Sequence, residues 1–534
     1  MFLGTDYFPT DLAAPFYSPS TPSTLSYRIW KQTTYSESDT ICMPYGTKDL
    51  ECYCPWQVGR GISIAFAFLS NNCTHIHSSL PTMLTEQDDH LPADTKMDPK
   101  PYPSIAILGA GPSGLVLASL LCKASIPYTM YDLRPSPTSP DSPFSTFVPS
   151  GSLDLHADSG ILALEACGLI EKFWPLTGEC SDFMIIADKM GHVRYQDDEA
   201  PGPPEEDDIN QGRGRPEIAR NALTSLLISS IPADKIKWQH KVHSVSPKYT
   251  NDSSTSSYTV SYTSSSSNVE RQEAFDIVIG ADGAWSRLRP LVTTTTPHYS
   301  TVNCVTITVP NITTTYPHLA SFIGPGSYSA TGEHKAIMSQ RGSIDSARVY
   351  LMLQDQSPSY LDDIGLTDLL QHPDQLQRLL LEDEKFFSTW GEELKDLIAA
   401  GCSAAQSQPT IASIKAYPLH MLPIAHTWPH KRNITLLGDA AHLMTPFAGE
   451  GVNMAMLDAL ELANELIPVL QSQDDKANGG AAIERYEKKM FSRAAYVTAK
   501  TWKNLGMIMD DPNAPEGFVN FMLSPGGPPP EIEA

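Results

Sequence analysis

Residues 104–135 read SIAILGAGPSGLVLASLLCKASIPYTMYDLRP. The continuous apolar run SIAILGA suits a parallel strand buried on both faces. The apolar spacing of SGLVLASLLCKA predicts a helix, and PYTMYDL predicts a second strand. Between the first strand and the helix stand Gly109, Gly111 and Gly114, in G-x-G-x-x-G spacing. Such glycines allow a tight turn, close approach of backbone to a pyrophosphate, and close packing of helix on strand. Pro112 fits the first helical turn, where its missing N–H costs nothing. The unpaired N–H groups of that turn suit a diphosphate. Asp132 closes the second strand, where a carboxylate accepts hydrogen bonds from ribose hydroxyls and repels a 2′-phosphate. FAD and NAD both satisfy this stretch.

Two later strand ends divide them. DIVIGADGAWSRLRP sets Asp282 and Gly283 after a buried strand, and LLGDAAHLMTPFAGEGVNMAMLDALELA sets Gly438 and Asp439 after another. An Asp at a strand end, followed by a glycine turn into a helix, holds a polyol: the carboxylate accepts a hydroxyl. The helix beyond points its positive end at a ring system. A ribityl chain with a flavin ring fits that arrangement, and a nicotinamide does not need it.

These three stretches, in this order and spacing, resemble the signatures of class A flavoprotein monooxygenases of the aromatic-hydroxylase type. SLDLHADSG, PEIARNALTSLL and PFAGEGVN resemble more narrowly the tetracycline-inactivating flavin monooxygenases. The resemblance covers about 104–510. It implies an α/β chain: a Rossmann-like FAD-binding domain of the GR2 type, interrupted by a smaller, mostly antiparallel sheet domain for substrate, with C-terminal helices. It implies FAD as cofactor, NADPH as transient reductant, and O2 with a small organic substrate. Asp132 would bind the adenosine ribose, Arg220 would sit against the FAD diphosphate, and Asp154 would lie near the flavin end. Asp439 would hold the ribityl chain, and Asp282 and Gly283 would line the cofactor and the nicotinamide approach. Gly449, Gly451, Val452 and Asn453 would flank the pyrimidine edge, and Pro446 the oxygen pocket. The family's G-Q-G reads Gly449-Glu450-Gly451 here, with the extra carboxylate expected to face solvent. Relatives often place an arginine for the reductant between the second strand and SLDLH; residues 135–153 hold neither Lys nor Arg. His442 and Trp285 are expected to be a locally bonded turn histidine and a packing residue. The chemistry belongs to the flavin.

The expected division is an irregular extension over 1–97, FAD-binding segments over 98–176, 214–295 and 429–466, sheet segments over 177–213 and 296–428, and a helical region over 467–534. Residues 300–355 alternate apolar and polar positions, predicting an antiparallel sheet exposed on one face. About 365–401 reads as helical. The acidic stretch DEAPGPPEEDDINQGRGRP reads as a surface loop, and the serine run at 264–267 as a hairpin tip.

A net charge of -24 disfavours nucleic acid, whose phosphates it repels. No apolar run approaches the length of a membrane span, and the N-terminus lacks a basic, apolar leader, so a cytoplasmic chain is expected. Four of the nine cysteines fall before residue 97, and Cys52 and Cys54 have no second pair to complete a zinc site. The rival readings are an FAD-linked dehydrogenase or oxidase and a non-catalytic flavin-binding protein. A flavin halogenase would carry Trp-x-Trp-x-Ile-Pro, which this sequence lacks.

Residues 1–96 are rich in Pro, Ser, Thr and Tyr without periodicity, and MDPKPYPSIAILGAG at Met97 would start such a fold normally. A chain beginning at Met97 should therefore keep its solubility and its flavin. Insolubility or flavin loss on that truncation would make the extension part of the core.

Overall fold

The computed structural model describes residues 102–137, 148–178, 180–197, 215–249, 255–265, 267, 269–472 and 479–524. The expected extension over 1–97, most of the acidic loop, and Cys52 and Cys54 lie outside the described residues.

Five short parallel strands form one sheet, in the order Ile434–Leu436, Ile277–Gly280, Ile105–Leu108, Thr129–Tyr131, Ile236–Lys237. The strand Ile105–Leu108 is buried along its whole length, as its continuous apolar run demands. The helix Pro112–Lys123 returns across this sheet and packs beside the long helix Gly451–Gln471. Gly168, left-handed at φ +74°, ends the helix Leu162–Cys167. The hairpin Thr255–Ser264 with Glu270–Phe275 extends a three-stranded antiparallel sheet that begins with His240–Tyr249.

The second large sheet has seven strands. Its order is Lys415–Met421, His298–Val309, Ser346–Gln354, Lys335–Gly342, Ser327–Gly332, Met184–Asp188, Val193–Gln196. All neighbours are antiparallel except Ser327–Gly332 with Met184–Asp188. The strands anticipated over 300–355 are present, but the exposed face is not. Val302 to Val309 are buried without a break. One face carries Val305, Ile307, Val349 and Leu351 against the helices Pro373–Glu382 and Glu392–Ser407. The helical stretch expected over 365–401 is thus broken into Leu366–Leu369, Pro373–Glu382 and Glu392–Ser407, with Pro373 opening the second. Each fully buried Leu on these helices contributes about 1.5–3 kcal/mol.

The opposite face carries Val302, Cys304, Met338 and Met352. It is covered by Phe447 and by Leu505, Ile508, Met509 and Phe518 from the chain's far end. Its polar members stay inside: Arg348 donates to the hydroxyls of Thr308 at 2.6 Å and Thr306 at 3.3 Å. Polar alternation therefore marks an inner, partly polar surface rather than a wet one.

The turn after the first strand is set by contact. Gly109 has φ +101°, and a Cβ there would lie 2.2 Å from the carbonyl oxygen of Ala281. A Cβ on Gly111 would meet nothing within 4 Å. Gly109→Ala should destabilise the chain by about 1–3 kcal/mol, whereas Gly111→Ala should stay within about 0.5 kcal/mol. Urea unfolding of the two variants checks this; equal midpoints would contradict it.

Candidate functional site

The glycine turns gather at one edge of the parallel sheet. Gly109 packs on Ala281 and Asp282, and Gly114 on the carbonyl of Gly109. A Cβ on Gly438 would lie 3.3 Å from Ser113 Oγ and 3.0 Å from Ala455 Cβ. The ends of strands Ile105–Leu108, Ile277–Gly280 and Ile434–Leu436 thus meet the first turns of helices Pro112–Lys123 and Gly451–Gln471. Neither helix has a side-chain cap, so their first N–H groups remain available. Gly111, Gly283 and Gly451 each face open space.

Asp132 ends the strand Thr129–Tyr131. Its carboxylate accepts the N–H of Ala110 at 2.7 Å and the N–H of Arg134 at 2.8 Å. The Arg134 guanidinium bonds both carboxylate oxygens at 2.9 Å and the Ala110 carbonyl at 2.7 Å. Arg134 lies in the opening stretch and was assigned no role; as the second residue past a strand-end acid it can fold back over that acid.

Asp282 accepts the Arg287 N–H at 2.6 Å through one oxygen, while its other oxygen is buried without a partner. Burial pushes this carboxyl up. Arg289, seven residues on and buried, donates to the carbonyls of Ala440 at 2.8 Å and Asp439 at 3.0 Å. It ties the second glycine loop to the third. The motif contained Arg289, but only the fold reveals its partners.

Asp439 is exposed yet ringed by protein, so it faces a cleft. Among the described residues its carboxylate accepts no hydrogen bond. The surrounding protein pushes its pKa up, against the pull of His442, Arg220 and Arg289. Arg220 begins the helix Arg220–Ile228, its N–H donating to Gly151 at 2.9 Å, with an exposed side chain. The sequence-predicted pair Arg220 and Asp439 therefore shares one electrostatic environment.

His442 is buried, and its partner is distant in sequence rather than local. Its Nε2 lies 2.6 Å from Asp458 Oδ2, an oxygen that also accepts the Gly438 N–H at 2.9 Å. Arg493 meets the other oxygen at 2.8 Å. Burial works against both charges, yet the pairing holds His442 above and Asp458 below their ordinary pKa values. Trp285 does not pack in the core: it is 63 % exposed, edge-on to His420 at a centroid distance of 5.1 Å.

Asp154 and Asn453 come together, but the Asn453 side chain is spent on protein. Its Nδ2 donates to the Asp154 carbonyl at 3.0 Å and its Oδ1 accepts the His156 N–H at 2.9 Å. Pro446 opens a short 3-10 turn through Ala448, and Gly449 follows at φ +71°. Val452 lies half-buried in the first turn of the helix. Glu450 overturns the solvent-facing expectation: it is drawn inward by Lys500, at 2.8 Å, and by His156, at 3.4 Å. Burial would raise its pKa; these two cations more than offset that and hold it at about 2.

Open glycine cradles, two uncapped helix starts, an orphaned buried oxygen on Asp282 and a partnerless carboxylate at Asp439 together fit a dinucleotide joined to a polyol. The described residues include no cluster of ligands for a metal ion. They also include no helix long and apolar enough to cross a membrane. Cys122, Cys167, Cys180, Cys304 and Cys402 are free thiols.

A family model described as an FAD binding domain matches residues 383–501. The monooxygenase penA of Penicillium thymicola is 36% identical over 450 residues, covering 79% of this chain and 98% of that relative. A structure of Klebsiella pneumoniae HpxO complexed with FAD and uric acid superposes with a TM-score of 0.58 at 19% identity, covering 79% of this chain and 92% of that one. The tetracycline destructase Tet(55) superposes with a TM-score of 0.55 at 17% identity, covering 80% and 95%. The two structural likenesses establish the fold.

Asp439→Ala removes a charged acceptor, a loss of roughly 1.5–3 kcal/mol where a ligand hydroxyl depends on it. FAD retention should weaken about 10- to 100-fold. Flavin fluorescence during dialysis measures it, and undiminished occupancy would remove Asp439 from the site.

Proposed function

This chain belongs to the class A FAD-dependent monooxygenases, and on that premise we propose that NADPH supplies its electrons and that a small aromatic or polyketide-like molecule receives the oxygen atom. The observation that supports FAD as the cofactor is the Asp439 carboxylate, which accepts no hydrogen bond among the described residues and stands at a strand end beside open glycine turns. Bound FAD would supply the redox chemistry, taking a hydride equivalent from a nicotinamide and passing its electrons to O2.

The chain's own residues hold and shield. Gly109, Gly111 and Gly114 with the start of the helix at Pro112 cradle the diphosphate. Arg220 adds a cation there. Asp132 takes the adenosine ribose once Arg134 turns aside from its carboxylate. Asp439 takes a ribityl hydroxyl. Asp282 and Gly283 line the cofactor and leave an approach for the nicotinamide. Gly451, Val452 and Asn453 present backbone N–H groups at the pyrimidine edge, where the positive end of a 21-residue helix favours developing negative charge, while the Gly449 N–H is bonded to the Pro446 carbonyl and its left-handed turn shapes the approach.

Pro446 and Phe447 form a wall against water. Phe447 is wholly buried and packs on Cys304, Met338 and Met352 of the seven-stranded sheet. That inner face mixes apolar with polar groups: Ser329 Oγ and Gln340 Oε1 are buried without partners. Gln340 also donates to Glu217 at 2.6 Å, and burial raises the Glu217 carboxyl to about 8. A flat, largely apolar substrate with one or two polar groups suits such a surface.

The test is isotopic. With a turned-over substrate and labelled O2, one labelled atom should enter the product while NADPH is consumed. Product formed without oxygen, at an unchanged rate with another electron acceptor, would establish a dehydrogenase instead.

A further inference from the structure

Glu450 stands between Gly449, left-handed at φ +71°, and Gly451, which faces open space. Its Oε1 lies 2.8 Å from Lys500 Nζ and its Oε2 3.4 Å from His156 Nδ1. The other ring nitrogen of His156 lies 3.1 Å from Asp154 Oδ2. All three acid and imidazole side chains are 12–14 % exposed. Lys500, Glu450, His156 and Asp154 therefore form one alternating chain of charge across the turn that begins the helix Gly451–Gln471.

The backbone of the same turn is tied from both sides. Asn453 bonds the Asp154 carbonyl and the His156 N–H. From the helix Gly479–Leu505, Thr501 donates to the Thr445 carbonyl at 2.8 Å and Asn504 to the Phe447 carbonyl at 2.9 Å. The charged and titratable groups around His156 are Asp154 and Asp158 on its own segment, Glu217 from the strand Glu217–Ala219 that pairs with Asp154, Arg215 just before that strand, Glu450 from the turn, and Lys500 behind it.

We propose that His156, held as an imidazolium between Asp154 and Glu450, is a positioning residue that keeps the Gly449–Gly451 turn in the shape that receives FAD, and that loss of its proton releases the turn. The proposal rests on the FAD reading above. The physical reason is the pairing of charges. With the proton on, the imidazolium touches both carboxylates, with Lys500 beside Glu450 and Arg215 near Asp154. With it off, Glu450 keeps Lys500, but Asp154 loses the cation that touches it in a poorly solvated place and retains only the more distant Arg215.

Burial would lower the His156 pKa, but the two carboxylates raise it from 6.5 to about 9. A raised cationic pKa stabilises the folded state fully below about 6.5 and loses that contribution as pH climbs through about 9. The native turn is thus locked at neutral pH and loosens in mild alkali.

The experiment uses the full chain loaded with FAD and follows free-flavin fluorescence as pH rises from about 6 to about 10. Native protein should release FAD with a midpoint near 9. Glu450→Gln removes one carboxylate, so the midpoint should fall by about one pH unit or more. Lys500→Gln removes a cation that repels the imidazolium, so the midpoint should rise. Opposite shifts support the ionic lock. Unmoved midpoints, or two shifts in the same direction, overturn it, because a purely structural knot would weaken both variants at every pH. Should either substitution fail to fold, the ring titration of His156 by NMR in the native protein decides: a ring already neutral at pH 7 in the loaded chain overturns the proposal alone. A chain that takes up no FAD at any pH strikes the FAD reading, and this one with it.

Discussion

The Asp458 carboxylate is the contact on which the site's geometry rests. It has no exposure to solvent and satisfies three groups at once: the Gly438 N–H, the His442 ring and the Arg493 guanidinium. These come from a strand end, a short helical turn and the long C-terminal helix, while Asp458 itself belongs to the helix Gly451–Gln471. A buried carboxylate stripped of one partner costs about 3–5 kcal/mol, so these four elements are fixed together. Asp439, next to Gly438, inherits its place from that arrangement. Arg289 then couples the neighbouring loop by gripping the carbonyls of Asp439 and Ala440.

This rigidity holds the exposed Asp439 in a fixed place rather than leaving it to solvent. The first, second and third glycine turns each leave room where a side chain would otherwise stand. Nearby cations come from outside the motifs' glycine cores, as with Arg220 and Arg289. The C-terminal helix closes the other side, holding the turn at Thr445 to Glu450 through Lys500, Thr501 and Asn504. The same region of chain covers the inner face of the seven-stranded sheet. A single C-terminal segment therefore shapes both the cofactor-side turn and the enclosed surface beside it.

The strand ends were legible in sequence because their signals are local: an apolar run, then glycines, then a helix with matching period. So was the hairpin before Asp276. What escaped was set by distant partners. Alternation over 300–355 identified strands but not the Phe447, Leu505 and Met509 cover that makes both faces interior. Glu450 reads as a solvent-facing substitution until Lys500 and His156 are placed beside it. Trp285 reads as a packing residue, and its one ring contact among the described residues, His420, comes from a distant strand at the surface. Arg134 and Arg289 lay within the quoted motifs, yet a guanidinium's partner several residues or a whole strand away leaves no periodic trace.

The acidic surface, with a net charge of -24, makes the basic groups at the cleft more informative, since they run against the protein's general balance. Arg220 stands where a diphosphate is expected and the paired Arg134 where a ribose is, while Arg289 braces the loop that carries Asp439. The central claim is that this site holds one FAD, with the glycine turns and Asp439 already in place and Asp132 freed when Arg134 turns aside. Release of flavin from a weighed amount of purified, full-length protein by denaturation, followed by absorbance and mass measurement, tests it most directly. The account predicts close to one FAD per chain, recovered again after stripping and reloading. A folded chain that carries no FAD and takes up none from solution would contradict it.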